Sequence, residues 1–312
     1  MLNKFLFISL VFPLSLNLFP VNNSKNIFFK TNENKPFNAE SYKESLQLLD
    51  ALDKNTINNY IINKSNRYFD KSIVVDDLRL STTERNWFFQ PKKDGSPSGE
   101  PPDVLELLKK YSGYYLGDTS KKIIYLTFDE GYENGYSAMI LDSLKSNGVK
   151  AAFFVTTDYI KRNPDLIKRM VAEGHLVCNH STTHPSMAQS AIKDKAKFER
   201  EFTTCEKTFE EATGTKMPKF FRPPMGKYSE LSLYYTQNLG YKSIFWSFAY
   251  KDWLPDNQPS IEAAKKVIME RTHNGGIFLL HAVSKTNATI MDSILREWKS
   301  KGFEFKTLNE LP

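Results

Sequence analysis

The stretch "YLTFDEGYENGY", residues 125–136, sets two carboxylates, Asp129 and Glu130, side by side where a strand-like run ends. Strand alternation sends consecutive side chains to opposite faces, and Gly131 then breaks the regular path. Other reactive side chains stand directly after further strand-like runs: His180, with His184 four residues on, in "NHSTTHP"; Arg222 in "FFRPPMG"; Asp252 in "YKDW"; His281 in "LLHAV". Each alone has a plain structural reading, as a turn or cap residue or a surface ion pair. Together they make a hydrolytic set. Two imidazoles and one carboxylate can hold a divalent cation and leave a position open for water or substrate, as catalytic zinc requires. A second carboxylate can then take a proton, and a histidine across the site can give one. On this reading one acid of the Asp129–Glu130 pair holds metal and the other is the base.

A glycoside hydrolase would instead pair Asp129 or Glu130 with Asp252. That alternative leaves His180 and His184 without a role. The formal net charge of +6 suits an anionic partner such as a membrane surface or an acidic wall polymer. No block of lysine and arginine is dense enough for nucleic acid, and none is expected as a partner.

The elements that must position these residues follow from the pattern around them. Strand-like runs "KKIIYLTF", "VKAAFFV", "HLVCN", "KFFR", "KSIFWSF", "GIFLLH" and "FEFKTL" recur after Lys121, separated by helical stretches. Asn163-Pro164 opens one helix, which Gly174 ends; Ser229 opens another, which Gly240 ends. Between these, Ile192, Phe198, Phe202, Cys205, Phe209 and Ala212 fall at helical spacing up to Gly214. Alternating strands and helices imply an α/β fold with a parallel sheet, closed as an imperfect barrel or open and doubly wound. In either, the strands' carboxyl ends converge, which is where such folds build active sites.

Residues 1–22 carry Lys4 ahead of a short apolar run interrupted by Pro13 and Asn17. It is too short to span a bilayer and is expected to be an export signal or an N-terminal anchor attaching the chain to a membrane. Residues 23–118 read as a polar extension and a turn-rich lead-in. Cys178 and Cys205 are expected as buried free thiols.

The quoted motifs resemble the polysaccharide deacetylase (NodB-homology) family, carbohydrate esterase family 4. "TFDDG" corresponds to Thr127–Gly131, "HSxxHP" to residues 180–185, "RxPxG" to Arg222–Gly226, "DW" to Asp252-Trp253 and "LLH" to Leu279–His281. The match covers about residues 120–312 with the motifs in order. "TFDEGYENGY", "WSFAYKDW" and "LLHAVSKTNA" look most like the delta-lactam-biosynthetic muramoyl de-N-acetylases of spore cortex formation. The resemblance implies a distorted (β/α) barrel of about seven units over residues 119–312. It also implies metal-dependent removal of acetyl from an amino sugar, with a divalent ion, zinc foremost, as cofactor. Carried over, Asp129 is the base, His180 and His184 ligate metal, and His281 is the acid. Arg222 would hold Asp129 ionised, Asp252 would tune His281, and the Met225 backbone N–H would serve the oxyanion.

One residue departs from the family. Glu130 stands where the family usually has its metal-binding aspartate, a position where the delta-lactam subgroup also tends to depart. The extra methylene leaves direct ligation, ligation through water, or metal held chiefly by the histidines. The expected partner is a peptidoglycan glycan strand in the cell envelope or outside the cell, at N-acetylmuramic acid. Lys227 and Lys251 are candidate partners for its lactyl carboxylate. N-acetylglucosamine in peptidoglycan or chitooligosaccharides, and a non-catalytic glycan-binding role, are the rival readings.

Overall fold

The computed structural model describes residues 80–312, together with the backbone of three short strands near the N-terminus. These are β1 (Leu6–Leu10), β2 (Leu14–Val21) and β3 (Ser24–Thr31), paired antiparallel in sequence order. The export-signal or anchor reading of residues 1–22, and the extension up to residue 79, otherwise lie outside the described residues. No helix among the described residues is long and apolar enough to cross a membrane.

Every residue of β6 (Ile123–Glu130) is buried. A run of β-branched and aromatic residues without polar alternation is what a strand covered on both faces requires. Around it lie β7 (Ala152–Val155), β8 (Leu176–Asn179), β9 (Phe220–Phe221), β11 (Lys242–Ile244), β12 (Gly276–His281) and β13 (Glu304–Phe305). All of the strand-like runs after Lys121 therefore contain a strand. An eighth, β5 (Gly113–Tyr114), comes from the lead-in and pairs with β11. The order is β12-β6-β7-β8-β9-β11-β5, with β13 on the first residues of β6, and every ladder in this sheet is parallel.

The sheet curls until its two ends meet. Just past β11, Ser247 N–H donates to Ile277 O at 3.0 Å and Leu279 N–H to Phe248 O at 2.9 Å. This closure is a few hydrogen bonds rather than a full ladder, so the barrel is distorted. Helices cover its outside: α1 (Pro102–Lys110) in the lead-in, then α2 (Ser137–Ser146), α3 (Thr157–Arg162), α4 (Pro164–Ala172), α5 (Met187–Lys193), α6 (Lys195–Thr213), α7 (Glu230–Asn238), α8 (Ile261–Glu270) and α9 (Lys285–Ser300). The lead-in from Leu80 belongs to the same compact unit as the barrel, Leu80–Pro312.

Strand parity divides the core. Ile123, Tyr125, Phe154, Cys178, Phe220, Ile244 and Ile277 fill the barrel. Ile124, Leu126, Phe128, Phe153, Val155, Val177, Phe278 and Leu280 pack outward with helix residues such as Ile140, Met170 and Ile294. Both cysteines are free and buried, Cys178 inside and Cys205 outside. The single helical spacing read from Ile192 to Ala212 is two helices. Asp194 adopts an extended φ of −167° and caps α6 by accepting the Lys197 N–H at 3.1 Å, and Ile192, on the near side of that break, is exposed.

Candidate active site

The inner parity, followed to the carboxyl end of each strand, arrives at Asp129 after Ile123 and Tyr125, and at His180 after Cys178. On the remaining strands it arrives at Arg222 after Phe220, and at His281 after Ile277 and Leu279. Alternation thus turns these side chains toward one mouth. In the β12–β6 ladder, His281 is the direct register partner of Asp129.

Arg222 is fully buried and lies over the Phe154 ring, its guanidinium carbon 4.2 Å from the centroid. Its Nη1 donates to Asp129 Oδ1 at 2.8 Å, while Nε donates to Ile244 O at 3.0 Å. Burial alone would raise the Asp129 pKa, but the charge of the Arg222 guanidinium in contact with it outweighs burial and holds the carboxyl below the usual range. The second oxygen, Oδ2, lies 3.6 Å from His180 Nε2. His180 Nδ1 meets Arg222 O at 2.9 Å, so Nδ1 carries the hydrogen and Nε2 keeps its lone pair toward Asp129. Burial lowers the His180 pKa to about 4, leaving the ring neutral.

His184 stacks edge-on against His180, ring centroids 4.8 Å apart. The loop between them is pinned at several points. Asn179 Oδ1 accepts the Ser181 N–H at 2.8 Å, Ser181 Oγ accepts the His184 N–H at 2.9 Å, and the Glu201 carboxylate accepts the N–H groups of Thr182 and Thr183 at 2.9 and 2.8 Å.

Across the mouth, Asp252 is fully buried, its Oδ1 accepting the His281 Nδ1–H at 2.7 Å. Its Oδ2 accepts the His281 backbone N–H at 2.9 Å and an Asn287 amide N–H at 2.6 Å. Burial would lower the His281 pKa; the Asp252 charge outweighs it and raises it. Met225 sits at φ 57°, ψ 11° inside the turn Pro224–Gly226 that follows Arg222.

Glu130 does not join this group. It pairs with Val155 in the β6–β7 ladder, so the strand continues through it and sends its side chain to the outward face. Its carboxyl is fully buried, and neither oxygen has a hydrogen-bond partner. Burial, then the neighbouring Glu133 and Asp129 charges, push its pKa well above the usual carboxylate range. Among the described residues no three His, Cys, Asp or Glu side chains are gathered as a metal site. His180 and His184, both held neutral by burial, have the chemistry to hold a divalent cation beside Asp129. Glu130, expected as a third ligand, does not fit that place.

Sequence reasoning passed over Asn287, which sits three residues beyond the Ser284 that caps α9. It also passed over Glu84 and Trp87 of the lead-in. Trp87 N–H donates to Gly226 O at 2.7 Å, and β4 (Arg85–Asn86) pairs with β10 (Lys227–Tyr228). Gly226 (φ 64°) is required there, since a Cβ would lie 2.8 Å from that of Trp87.

A curled parallel barrel with an arginine-paired aspartate, an aspartate-paired histidine and a histidine pair at its mouth fits a hydrolase, and the chain belongs to the polysaccharide deacetylase family, whose model matches residues 116–244. The peptidoglycan-N-acetylmuramic acid deacetylase PdaA of Bacillus subtilis is 39% identical over 226 residues, spanning 72% of this chain and 85% of that protein. The structure of B. subtilis PdaA, described as a family 4 carbohydrate esterase, superposes with a TM-score of 0.72 at 38% identity, covering 74% of this chain and 98% of that one. The peptidoglycan-N-acetylglucosamine deacetylase PgdA of Listeria monocytogenes is 35% identical over 193 residues, 62% of this chain and 39% of that protein.

Proposed function

We propose that the protein hydrolyses the acetamide of N-acetylmuramic acid residues in peptidoglycan, and that the freed amine then condenses with the lactyl carboxyl group, its C–O bond breaking with loss of water, to give muramic delta-lactam. The observation that carries this reading is the opposite tuning of two register partners: Arg222 draws the Asp129 carboxyl below its usual range, and Asp252 raises the His281 ring above its own. Such a split assigns base and acid. Asp129 takes a proton from water as its oxygen adds to the acetyl carbon, and the Met225 backbone N–H donates to the developing oxyanion. His281 then gives its proton to the nitrogen as the C–N bond breaks, releasing acetate and the amine. An amide needs that proton, because an unprotonated amine leaves poorly. His180 and His184 would hold the divalent ion, zinc being the expected one; when bound it supplies Lewis acidity at the acetyl oxygen.

The resemblance to the B. subtilis muramic acid deacetylase supports the choice of sugar. Lys251 is exposed next to Asp252 and suits the lactyl carboxylate, whereas Lys227 is already engaged by Glu84 at 3.2 Å. The setting that fits is the cell envelope during spore cortex formation, with residues 1–22 serving export or anchoring. Purified protein incubated with peptide-stripped glycan strands should release acetate and yield lactam-containing muropeptides by mass spectrometry. Acetate released solely from N-acetylglucosamine residues overturns the muramoyl reading. No acetate from either sugar overturns the reading altogether.

A further inference from the structure

Two residues of the mouth, His184 and Met225, have φ of 56° and 57°, a region that residues other than glycine seldom adopt. Such conformations persist where the surroundings hold them. Two residues beyond each, a side chain reaches the same carboxylate. Ser186 Oγ donates to Glu84 Oε2 at 2.6 Å, and Lys227 Nζ meets Glu84 Oε1 at 3.2 Å. Ser186 is also the N-cap of α5, accepting the Gln189 N–H at 3.3 Å, so its position fixes where that helix begins.

Glu84 itself stands on anchored chain. The residues after it form the β4–β10 ladder, with Asn86 opposite Lys227 and Arg85 opposite Tyr228. Trp87 then locks the strand down, its indole N–H donating to Trp246 O at 2.9 Å and its ring stacked 4.5 Å from Phe245.

We propose that Glu84 is a positioning residue of this deacetylase: it ties the loop of His180 and His184 to the loop of Arg222 and Met225, joining two elements that must be aligned for hydrolysis. This rests on the reading of those loops as catalytic. A partly exposed ion pair adds little to stability. Its consequence is geometric, since a displacement of about 1 Å in reacting groups can cost on the order of 100-fold in rate.

The test compares Glu84→Ala, Glu84→Gln, Lys227→Met and the double variant Glu84→Ala/Lys227→Met. Acetate release from peptide-stripped glycan strands, hydrolysis of p-nitrophenyl acetate and thermal melting are measured for each. Glu84→Ala should lower kcat about tenfold on both substrates with KM within about twofold, and without a matching fall in melting temperature. Glu84→Gln keeps the size and the Ser186 contact, loses the ion pair, and should fall about threefold; it carries the test if the alanine variant does not fold. Lys227→Met should lower kcat as well, and the double variant should lose less than the product of the two single losses. Full kcat in the Glu84 variants, multiplicative losses, or losses that track melting temperature would each overturn the bridge. If the wild type cleaves the ester but deacetylates no glycan, the sugar assignment fails while the ester rates still report on Glu84.

Discussion

Asp252→Asn isolates one interaction of the site. The Oδ2 position of Asp252 is already faced by two donors, the His281 backbone N–H and the Asn287 amide. An asparagine must therefore set its carbonyl oxygen there and turn its NH2 against the His281 ring. The imidazolium then loses its anion and its acceptor together. An opposite charge in contact shifts a pKa by about 1–3 units, each worth about 1.4 kcal/mol. If the loss is about two units, the protonated fraction of His281 on the alkaline side falls about 100-fold, while on the acid side it hardly changes. Amide kcat/KM should thus fall about 100-fold at alkaline pH and only a few-fold at acid pH, moving the alkaline limb downward. The sign follows from the wild-type ring, whose pKa lies above its ordinary 6.5. Its contribution to stability is fully present below that value and is lost as pH rises through the raised one. The assay is a pH profile of acetate release beside one of p-nitrophenyl acetate hydrolysis, whose leaving group needs no proton and should be spared. An equal loss on both substrates at every pH would refute the argument and reduce Asp252 to a structural support.

Asp129→Asn should stop turnover and also cost about 3 kcal/mol in denaturant unfolding, because it strips the fully buried Arg222 of its counter-charge. Unchanged stability would mean that the carbonyls of Ile244, 3.0 Å from Nε, and of Phe245, 3.4 Å from Nη2, suffice for Arg222. His180→Ala and His184→Ala should each lose bound divalent ion in equilibrium dialysis, whereas Glu130→Gln, which replaces an outward-facing buried acid by a near isostere, should keep it. Ion lost from Glu130→Gln would return that side chain to the ligand set.

Much of this was legible because strand period and chemistry reinforce each other. The apolar runs after Lys121 each hold a strand, and the reactive residues at their ends share one parity, so a parallel sheet had to bring them to one mouth. Glu130 shows where composition misleads: as an acid next to Asp129 it looked like a ligand. The ladder to Val155 keeps Glu130 within the strand, and alternation turns its side chain outward, away from Asp129. The helix break at Asp194 was hidden because apolar spacing continues across it, while the cap that splits α5 from α6 is a local hydrogen bond. Asn287 and Glu84 act through partners 35 and 102 residues away, and nothing in their immediate sequence points there. Strands of two residues, such as β4 and β5, are too short to show a period at all.

The β12–β6 ladder bears on how the chain reaches its active form. It sets Gly276 opposite Ile124, so β6 takes one of its neighbours from chain that lies far along the sequence. Closing so long a loop slows folding, and before it closes one apolar edge of β6 stays open to wrong partners. The same pairing event sets His281 beside Asp129. The two side chains therefore come together only when this long-range pairing forms. A chain truncated ahead of Gly276 would lack both a strand that covers β6 and the histidine that stands opposite Asp129, so shortened protein should be inert toward glycan, and recovery of activity on refolding should follow closure of this distant pairing.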